Sequence, residues 1–291
     1  LYELPFRSDY WLIYYNKDVF DAAGIAYPSN DMTMEDYDAL ARQLTDTTYG
    51  SQVYGCHYHT WRSAVELFGI LDGKHSILDG NYDWMIPYYD MILSEEDDGV
   101  CQTYTDLSTE GLHYSAAFSN GNVAMMNMGS WFISTLISNL DSGEYDSSLC
   151  GNWGIASYPH PDGAEAGSTI ATITGLAVTS ASANKDAAFD FVNWVSGTEG
   201  AKVMASTGNF PAIMTDDVIN TIAGMAGFPT DESSKEALNI TNAYLEVPYA
   251  ENVSEINSIL DTYHTSIMNR EVTVEEGVAS MNEQVGKILN Q

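Results

Sequence analysis

The chain has 291 residues, of which 45% are hydrophobic and 12% aromatic, and its formal net charge at pH 7 is −31. The hydrophobic fraction is enough for one large or two medium cores, which excludes a disordered chain. The strong negative charge repels phosphate backbones and anionic membrane surfaces, and it therefore argues against a nucleic-acid partner. No apolar stretch approaches the roughly 20 residues that are needed to span a bilayer.

The first part of the chain alternates strand and helix patterns. Residues 11–16 (WLIYYN) form an apolar, β-rich run that predicts a strand. The next segment, KDVFDAAGI, has apolar residues at helical spacing, and Gly24 ends that helix. Thr33 is the predicted N-cap of a second helix, because acidic residues occupy its first turn and an apolar stripe follows.

The same alternation continues to the C-terminus. Further strands are predicted at 52–59 (QVYGCHYH), 152–159 (NWGIASYP) and 175–182 (GLAVTSAS). Helical patterns lie around 64–71, 84–93, 112–120 and 184–195, and the chain is mostly helical from 235 to 291. Strands interleaved with helices predict an α/β fold.

One stretch, AAFSNGNVAMMNMGSWFISTL at 116–136, poses a question about Trp131. A short apolar run reads as a buried strand, Gly129 permits a tight turn, and Ser130 can cap the helix that follows. The tryptophan at the start of this helix is then either a core residue or a flat apolar plate that faces a ligand.

The residues that commonly bind metals do not form a recognisable site. Cys56, Cys101 and Cys150 contain no C-x-x-C pair, so zinc is not predicted, and either one disulfide or none is compatible with the sequence. The acidic run SEEDDG at 94–99 lacks the alternating ligands of an EF-hand and reads as a solvated loop or helix end. His57 and His59 share a strand face, but no third ligand is identifiable. No metal or other cofactor is predicted.

Four stretches in order resemble a known family. They are LPFRSDYWLIYYNKDVFDAAGI at 4–25, AAFSNGNVAMMNMGSWFIS at 116–134, GIASYPHPDG with TGLAVTSASANKDAAFDFVNWV between 154 and 195, and STGNFPA at 206–212. Together they resemble the extracellular solute-binding proteins of ABC transporters, in the family that binds sugars and oligosaccharides and includes the maltose-binding proteins.

The resemblance implies an α/β, periplasmic-binding-protein-like two-lobe fold of type II that is truncated at its N-terminus. In that fold, residues 1–172 and 248–291 form the C-terminal-type lobe, and 173–247 form the remaining part of the other lobe. The helix at 184–195 is then expected to expose an apolar stripe that includes Phe191 and Val195.

The resemblance also implies a ligand site made of Asp9, Tyr10, Tyr58, Trp61, Trp131 and Gly175. Trp131 is the stacking platform for a sugar ring, and Asp9 accepts hydrogen bonds from sugar hydroxyls, next to Arg7. Tyr58 and Trp61 lie three residues apart and share a helical face if the helix has begun there. Core packing remains the alternative for each aromatic residue, as does a surface acid for Asp9 and a plain strand end for Gly175.

The implied function is capture of a carbohydrate outside the cell, between two closing lobes, and its delivery to a membrane permease. The protein is then a monomeric binding protein without a cofactor, either periplasmic or anchored as a lipoprotein. A carbohydrate-active enzyme, or an adhesin or sensor domain on the same fold, is the alternative. The sequence has no Gly-x-Ser-x-Gly, phosphate loop or His-Glu-x-x-His to favour an enzyme.

Overall fold

The computed structural model describes residues 2–45, 52–161 and 163–290, so Leu1 and Gln291 of the predicted larger lobe lie outside the described residues. The strands are β1 (Leu4–Asn16), β2 (Tyr54–His57), β3 (Val123–Gly129), β4 (Trp153–Ser157), β5 (Thr169–Leu176) and β6 (Ala243–Leu245). The first seven helices are α1 (Lys17–Ala23), α2 (Met34–Leu44), α3 (Ser63–Ile70), α4 (Ile86–Asp97), α5 (Tyr104–Glu110), α6 (Tyr114–Ser119) and α7 (Trp131–Ser142). The others are α8 (Ser147–Cys150), α9 (Lys185–Val195), α10 (Thr198–Ala205), α11 (Asp216–Ala223), α12 (Glu232–Glu236), α13 (Val253–Met268) and α14 (Val274–Leu289).

Strand β1 organises the sheet because two halves of it have different partners. Residues 11–16 pair antiparallel with β3 on one edge and with β4 on the other. Residues 4–10 pair antiparallel with β5, and a register shift lies between Pro5 and Arg7. The short strands β2 and β6 add in parallel to β3 and β5. The six strands and the helices around them confirm the predicted α/β class.

The helix signals in the first part of the chain are confirmed. Helix α1 ends at Gly24, whose φ of 68° is the left-handed conformation that glycine adopts without strain. Helix α2 begins with a capping box in which the side chains of Thr33 and Asp36 each accept the other's backbone N–H.

The strand predicted at 175–182 is wrong. Strand β5 lies earlier, at Thr169–Leu176, because its residues 171–176 are held in register by the first half of β1. Residues 177–184 belong to no strand. Their alternating apolar pattern therefore has no pairing partner in the part of the chain that the structure describes.

Helices α11 and α12 pack on the body built around β1 and β4, although the sequence placed them in the other lobe. The Phe228 ring lies 6.0 Å from the Trp153 ring, in an edge-to-face contact. The backbone N–H of Ile155 donates to Ser234 Oγ at 3.2 Å. Residues 215–238 therefore share the main hydrophobic core, since Val218, Ile222 and Leu238 are buried in it.

Helix α9 shows the apolar exposure that the sequence predicts. Phe189, Phe191 and Trp194 are all about half exposed, and Val192 is the buried residue of the helix. The stripe includes Phe191 as expected, whereas Val195 is half-buried.

The acidic run at 94–99 is not a solvated segment throughout. Its first residues form the last turn of α4, where Glu95 and Glu96 are buried. Glu96 accepts the backbone N–H of Tyr104 at 2.8 Å, and Glu95 lies beside Cys56. The run therefore contributes to the core as well as to the surface.

The longest helices, α13 and α14, have 16 residues each and follow each other directly at the C-terminus. Each buries an apolar stripe, as the sequence indicates for this part of the chain. Among the helices of the described ranges, none combines the length and the apolarity that crossing a membrane requires.

Candidate functional site

A groove of about 420 Å³ lies where β1, the chain before α3, the start of α7, the β5–β6 pair and α13 meet. The residues that define its walls are Trp11, Thr60, Trp61, Arg62, Glu66, Trp131, Thr172, Glu246, Asn257 and Asp261. Part of the wall is aromatic, and the rest includes carboxylate, amide and hydroxyl groups. We call this space the tryptophan groove.

Three indole rings form the aromatic wall. The Trp11 and Trp131 rings meet edge-to-face with centroids 5.4 Å apart, and Trp61 lies 6.4 Å from Trp11 and 6.2 Å from Trp131. Trp11 is only 2% exposed, whereas Trp61 is 41% exposed and Trp131 is partly exposed. Trp131 therefore lies partly exposed beside Trp61, and it is not enclosed in the core.

Gly129 is needed because the Trp131 ring folds back over the backbone. A Cβ atom at position 129 would lie 2.1 Å from Cζ3 of Trp131, a distance that no side chain tolerates. The reason for glycine is thus a close approach of the indole, whereas the sequence suggested a tight turn. The backbone before α7 sets the orientation of the indole.

Ser130 does not cap α7, contrary to the sequence prediction. Its side chain makes no cap hydrogen bond. Instead, its hydroxyl donates to Asp9 Oδ1 at 2.9 Å and accepts the backbone N–H of Tyr10 at 3.2 Å. Ser130 therefore attaches the start of α7 to β1.

Asp9 is buried at the centre of this attachment. The Arg7 guanidinium contacts it at 2.6 Å (Nε to Oδ2) and 3.1 Å (Nη2 to Oδ1). Burial raises the pKa of Asp9, and the charge of Arg7 acts in the opposite direction. Since Asp9 lies outside the groove wall and both of its oxygens have partners, its observed contacts are those of a positioning residue.

Three other sequence-predicted residues lie away from the groove. Tyr58 is 5% exposed and packs against Tyr37 and Phe68. It shares no helical face with Trp61, because α3 begins only at Ser63. Tyr10 packs edge-to-face on Phe210 at 6.0 Å. Gly175 lies within β5 opposite Pro5, where a Cβ would meet the Glu3 side chain.

The floor of the groove contains a buried ion pair. Arg62 and Glu66 are 6% and 2% exposed and form a salt bridge one helical turn apart. Arg62 also donates from Nε to Asp261 at 2.9 Å and from Nη2 to Asn257 at 2.6 Å. The guanidinium thus links the start of α3 to α13 and holds two acceptors at the groove wall.

Glu246 continues the polar wall just after β6. Its Oε2 accepts hydrogen bonds from Thr172 Oγ1 at 2.5 Å and from the Trp11 indole N–H at 3.4 Å. These two donors fix the carboxylate beside the aromatic wall. Its second oxygen makes no hydrogen bond within the described ranges, so it is available to a ligand hydroxyl.

Histidines beside the groove add no positive charge at neutral pH. Burial lowers the pKa of His59, which packs on Trp61 at 4.6 Å, to about 4. Burial also lowers the pKa of His264 to about 3. The groove wall therefore carries one positive side chain, Arg62, against the carboxylates of Glu66, Asp261 and Glu246.

Most of the polar wall and Trp11 were not predicted from the sequence. Trp11 was read as part of an apolar strand, which it is, but its ring also faces the groove. Thr172 and Glu246 meet through the parallel pairing of β5 with the three-residue strand β6, for which the sequence has no local signal. Asn257 and Asp261 are one turn apart on α13, and that spacing is the one available indication of a shared polar face.

The chain is similar to known proteins of one family. A family model described as "Bacterial extracellular solute-binding protein" matches residues 2–202. A sugar transporter from Rhizobium etli, solved in an open conformation, is 49% identical with a TM-score of 0.90, over 98% of this chain and 72% of that chain. Comparison with curated proteins gives no match.

Two more distant structures share the fold. An ABC substrate-binding protein from Listeria monocytogenes in complex with cycloalternan is 22% identical, with a TM-score of 0.80 over 99% of this chain and 72% of that one. A maltose-bound protein from T. maritima is 16% identical, with a TM-score of 0.73 over 99% and 72% of the two chains.

These matches are to binding proteins rather than to enzymes, and the family model covers more than half of the chain. The two-lobe α/β fold of the solved structures is the fold that the sequence predicted. The chain belongs to the bacterial extracellular solute-binding protein family.

Proposed function

We propose that this protein binds an uncharged carbohydrate in the tryptophan groove and delivers it to an ABC permease. The observation that carries the proposal is the pairing of three indoles with a wall of fixed acceptors in one groove. The C–H face of a sugar ring packs on an indole, and its hydroxyl groups require hydrogen-bond partners. Trp61, Trp131, Glu246, Asn257 and Asp261 are the proposed contacts, and Asp9 is the proposed positioning residue for Trp131.

The relatives support a carbohydrate ligand. The Listeria monocytogenes protein is in complex with cycloalternan and the T. maritima protein with maltose, both uncharged oligosaccharides. The Rhizobium etli structure is that of a sugar transporter. At 49% identity, its ligand class is relevant to this chain.

We propose that the ligand is enclosed by closure of two lobes, with the hinge where β1 pairs with β5. The sequence predicts one lobe at 1–172 plus 248–291 and the other at 173–247. We keep α9 and α10 in the second of these lobes, and we place Gly175 at the proposed hinge. Helices α11 and α12 are assigned to the larger lobe because of their packing. The protein acts as a monomer outside the cytoplasm, either periplasmic or anchored as a lipoprotein.

Replacing Trp131 with alanine should weaken sugar binding by about tenfold or more, with little loss of stability. A stacked ring contributes on the order of 1 kcal/mol beyond area burial, and about 1.4 kcal/mol corresponds to one decade in affinity. The measurement is isothermal calorimetry against maltose, maltotriose, mannobiose and cycloalternan, together with thermal melting. Trp194→Ala, which removes a half-exposed indole outside the groove, is the matched control and should leave affinity unchanged. Normal binding by a Trp131→Ala protein that melts early would show that the indole is a core residue.

The charge of the groove predicts rejection of anionic sugars. One cation and three carboxylates line the wall in a protein of net charge −31, so a ligand carboxylate would meet repulsion and would lose solvation. A neutral oligosaccharide that binds should therefore bind at least about tenfold more tightly than its uronate counterpart, a difference of about 1.4 kcal/mol. Titration of matched neutral and uronate disaccharides at low and high salt measures this ratio. Equal affinity for the two ligands would contradict it.

A further inference from the structure

Two of the three cysteines meet in the core, far from each other in sequence. Cys56 lies on β2, and Cys101 lies four residues beyond α4, 45 positions later in the chain. Both are buried, and their sulfurs and a carboxylate oxygen of Glu95 all lie within 4.8 Å of one another. The backbone N–H of Cys56 donates to the carbonyl of Val100 at 3.4 Å, so the two cysteines lie on adjacent stretches of backbone.

We propose that Cys56 and Cys101 form a disulfide bond that closes the segment containing α3 and α4. The structure holds both residues as free thiols, and their adjacent backbone and neighbouring sulfurs bring them close enough for a disulfide to form. The inference rests on the proposed location outside the cytoplasm, where disulfides form and persist. It also resolves the choice that the sequence left open between one disulfide and none.

Cys150 is the remaining thiol. It lies on α8, where its sulfur contacts the carbonyl of Asp146 at 3.7 Å, and it does not belong to the Cys56 cluster. The protein therefore carries one disulfide and one buried free thiol.

The bond forms by exchange with a donor disulfide, that of an extracytoplasmic thiol oxidase or of oxidised glutathione. The Cys101 thiolate attacks one sulfur of the donor disulfide, forms a mixed disulfide and releases the first donor thiolate. The Cys56 thiolate then attacks the Cys101 sulfur and expels the second. The donor gains two electrons, and the two protons from the cysteines pass to the released thiolates. Because both thiols are buried in the folded chain, this exchange precedes completion of the core.

A zinc ion on Cys56, Glu95 and Cys101 is the competing occupant of this site. It would require two thiolates and one carboxylate, all deprotonated, in a fully buried position. Burial acts against all three, since it raises the pKa of Glu95 to about 8 and that of Cys56 well above its usual value. A disulfide leaves the cluster without a charge, and the observations therefore favour it.

The test is a thiol count on unreduced protein, refolded in a buffer of reduced and oxidised glutathione and, separately, recovered from an oxidising compartment. After denaturation, N-ethylmaleimide should label one cysteine per chain without reductant and three after reduction. In Cys150→Ala, no cysteine should be labelled without reductant and two should be labelled after reduction. This result assigns the disulfide to Cys56 and Cys101. The refolded sample reports on the pairing, and the exported sample reports on the proposed location.

Stability gives a second readout. Closing a loop of this length stabilises the folded chain by several times the thermal energy, and the reduced protein should melt roughly 6 °C below the oxidised one. Cys150→Ala should show the same difference, whereas Cys56→Ala should show none. Three labelled cysteines in the unreduced refolded protein, a pair that includes Cys150, or one zinc ion per chain by elemental analysis would overturn the proposal.

Discussion

Replacing Arg62 with methionine is expected to lower the free energy of unfolding by about 3 kcal/mol or more. Arg62 is the counter-charge of Glu66, and both lie on the groove floor with almost no exposure. Removal of one member of a buried pair leaves an uncompensated charge, which costs on the order of 3–5 kcal/mol. Chemical denaturation at pH 7 measures the change.

Two further variants make this prediction specific. Arg62→Met/Glu66→Leu should recover most of the stability, since well-packed apolar residues often replace a buried ion pair without loss. Arg42→Met breaks surface pairs with Asp38 and Asp98 and should cost no more than about 1 kcal/mol. If Arg62→Met lost no more stability than Arg42→Met, Glu66 would not be charged in the folded protein.

Glu95 is expected to make the protein less stable as the pH rises from 5 to 8. Burial raises the pKa of Glu95 from its ordinary value of 4.5 to about 8. The folded-state pKa lies above the unfolded one. The contribution of protonated Glu95 to the free energy of unfolding is therefore fully present below pH 4.5 and is lost as the pH rises through 8. Glutamine cannot titrate, so the stability of Glu95→Gln relative to the wild type should increase by roughly 3 kcal/mol between pH 5 and pH 8.

The difference between the two proteins is the quantity to measure. Burial lowers the pKa of His57 and of His264 to about 3, and both histidines make the wild type less stable as the pH falls below 6.5. Their effect is common to the variant and cancels in the difference. Glu110→Gln, at an exposed position at the end of α5, is the control for the substitution itself. A difference for Glu95→Gln that does not vary with pH would contradict a protonated Glu95.

Local sequence patterns predicted the helices and strands whose positions are determined by neighbouring residues. The N-cap at Thr33, the end of α1 at Gly24 and the buried strand before Trp131 depend on residues within one or two turns. The α/β class followed from strands interleaved with helices, and the two-lobe fold followed from motifs that stand in one order along the chain. Trp61 and Trp131 were identified in the same way, and the structure brings both to the tryptophan groove.

The parts that the sequence did not predict depend on distant partners. Asp9 reads as a free acceptor until Arg7 and Ser130 occupy its oxygens. Tyr58 reads as a groove residue until the start of α3 is known. Glu246 is indistinguishable from the other acidic residues of the chain until β6 pairs with β5. Each of these outcomes is set by contacts between segments, which residue spacing does not encode.

The close packing of the Trp131 indole on the backbone at Gly129 has a consequence for ligand affinity. Immobilising a mobile side chain at a binding surface costs roughly 0.5–1.5 kcal/mol of entropy. The indole is already held on one side by the backbone at position 129 and on another by Trp11. It therefore has little rotational freedom left to lose, and the proposed stacking surface is preorganised before any ligand binds.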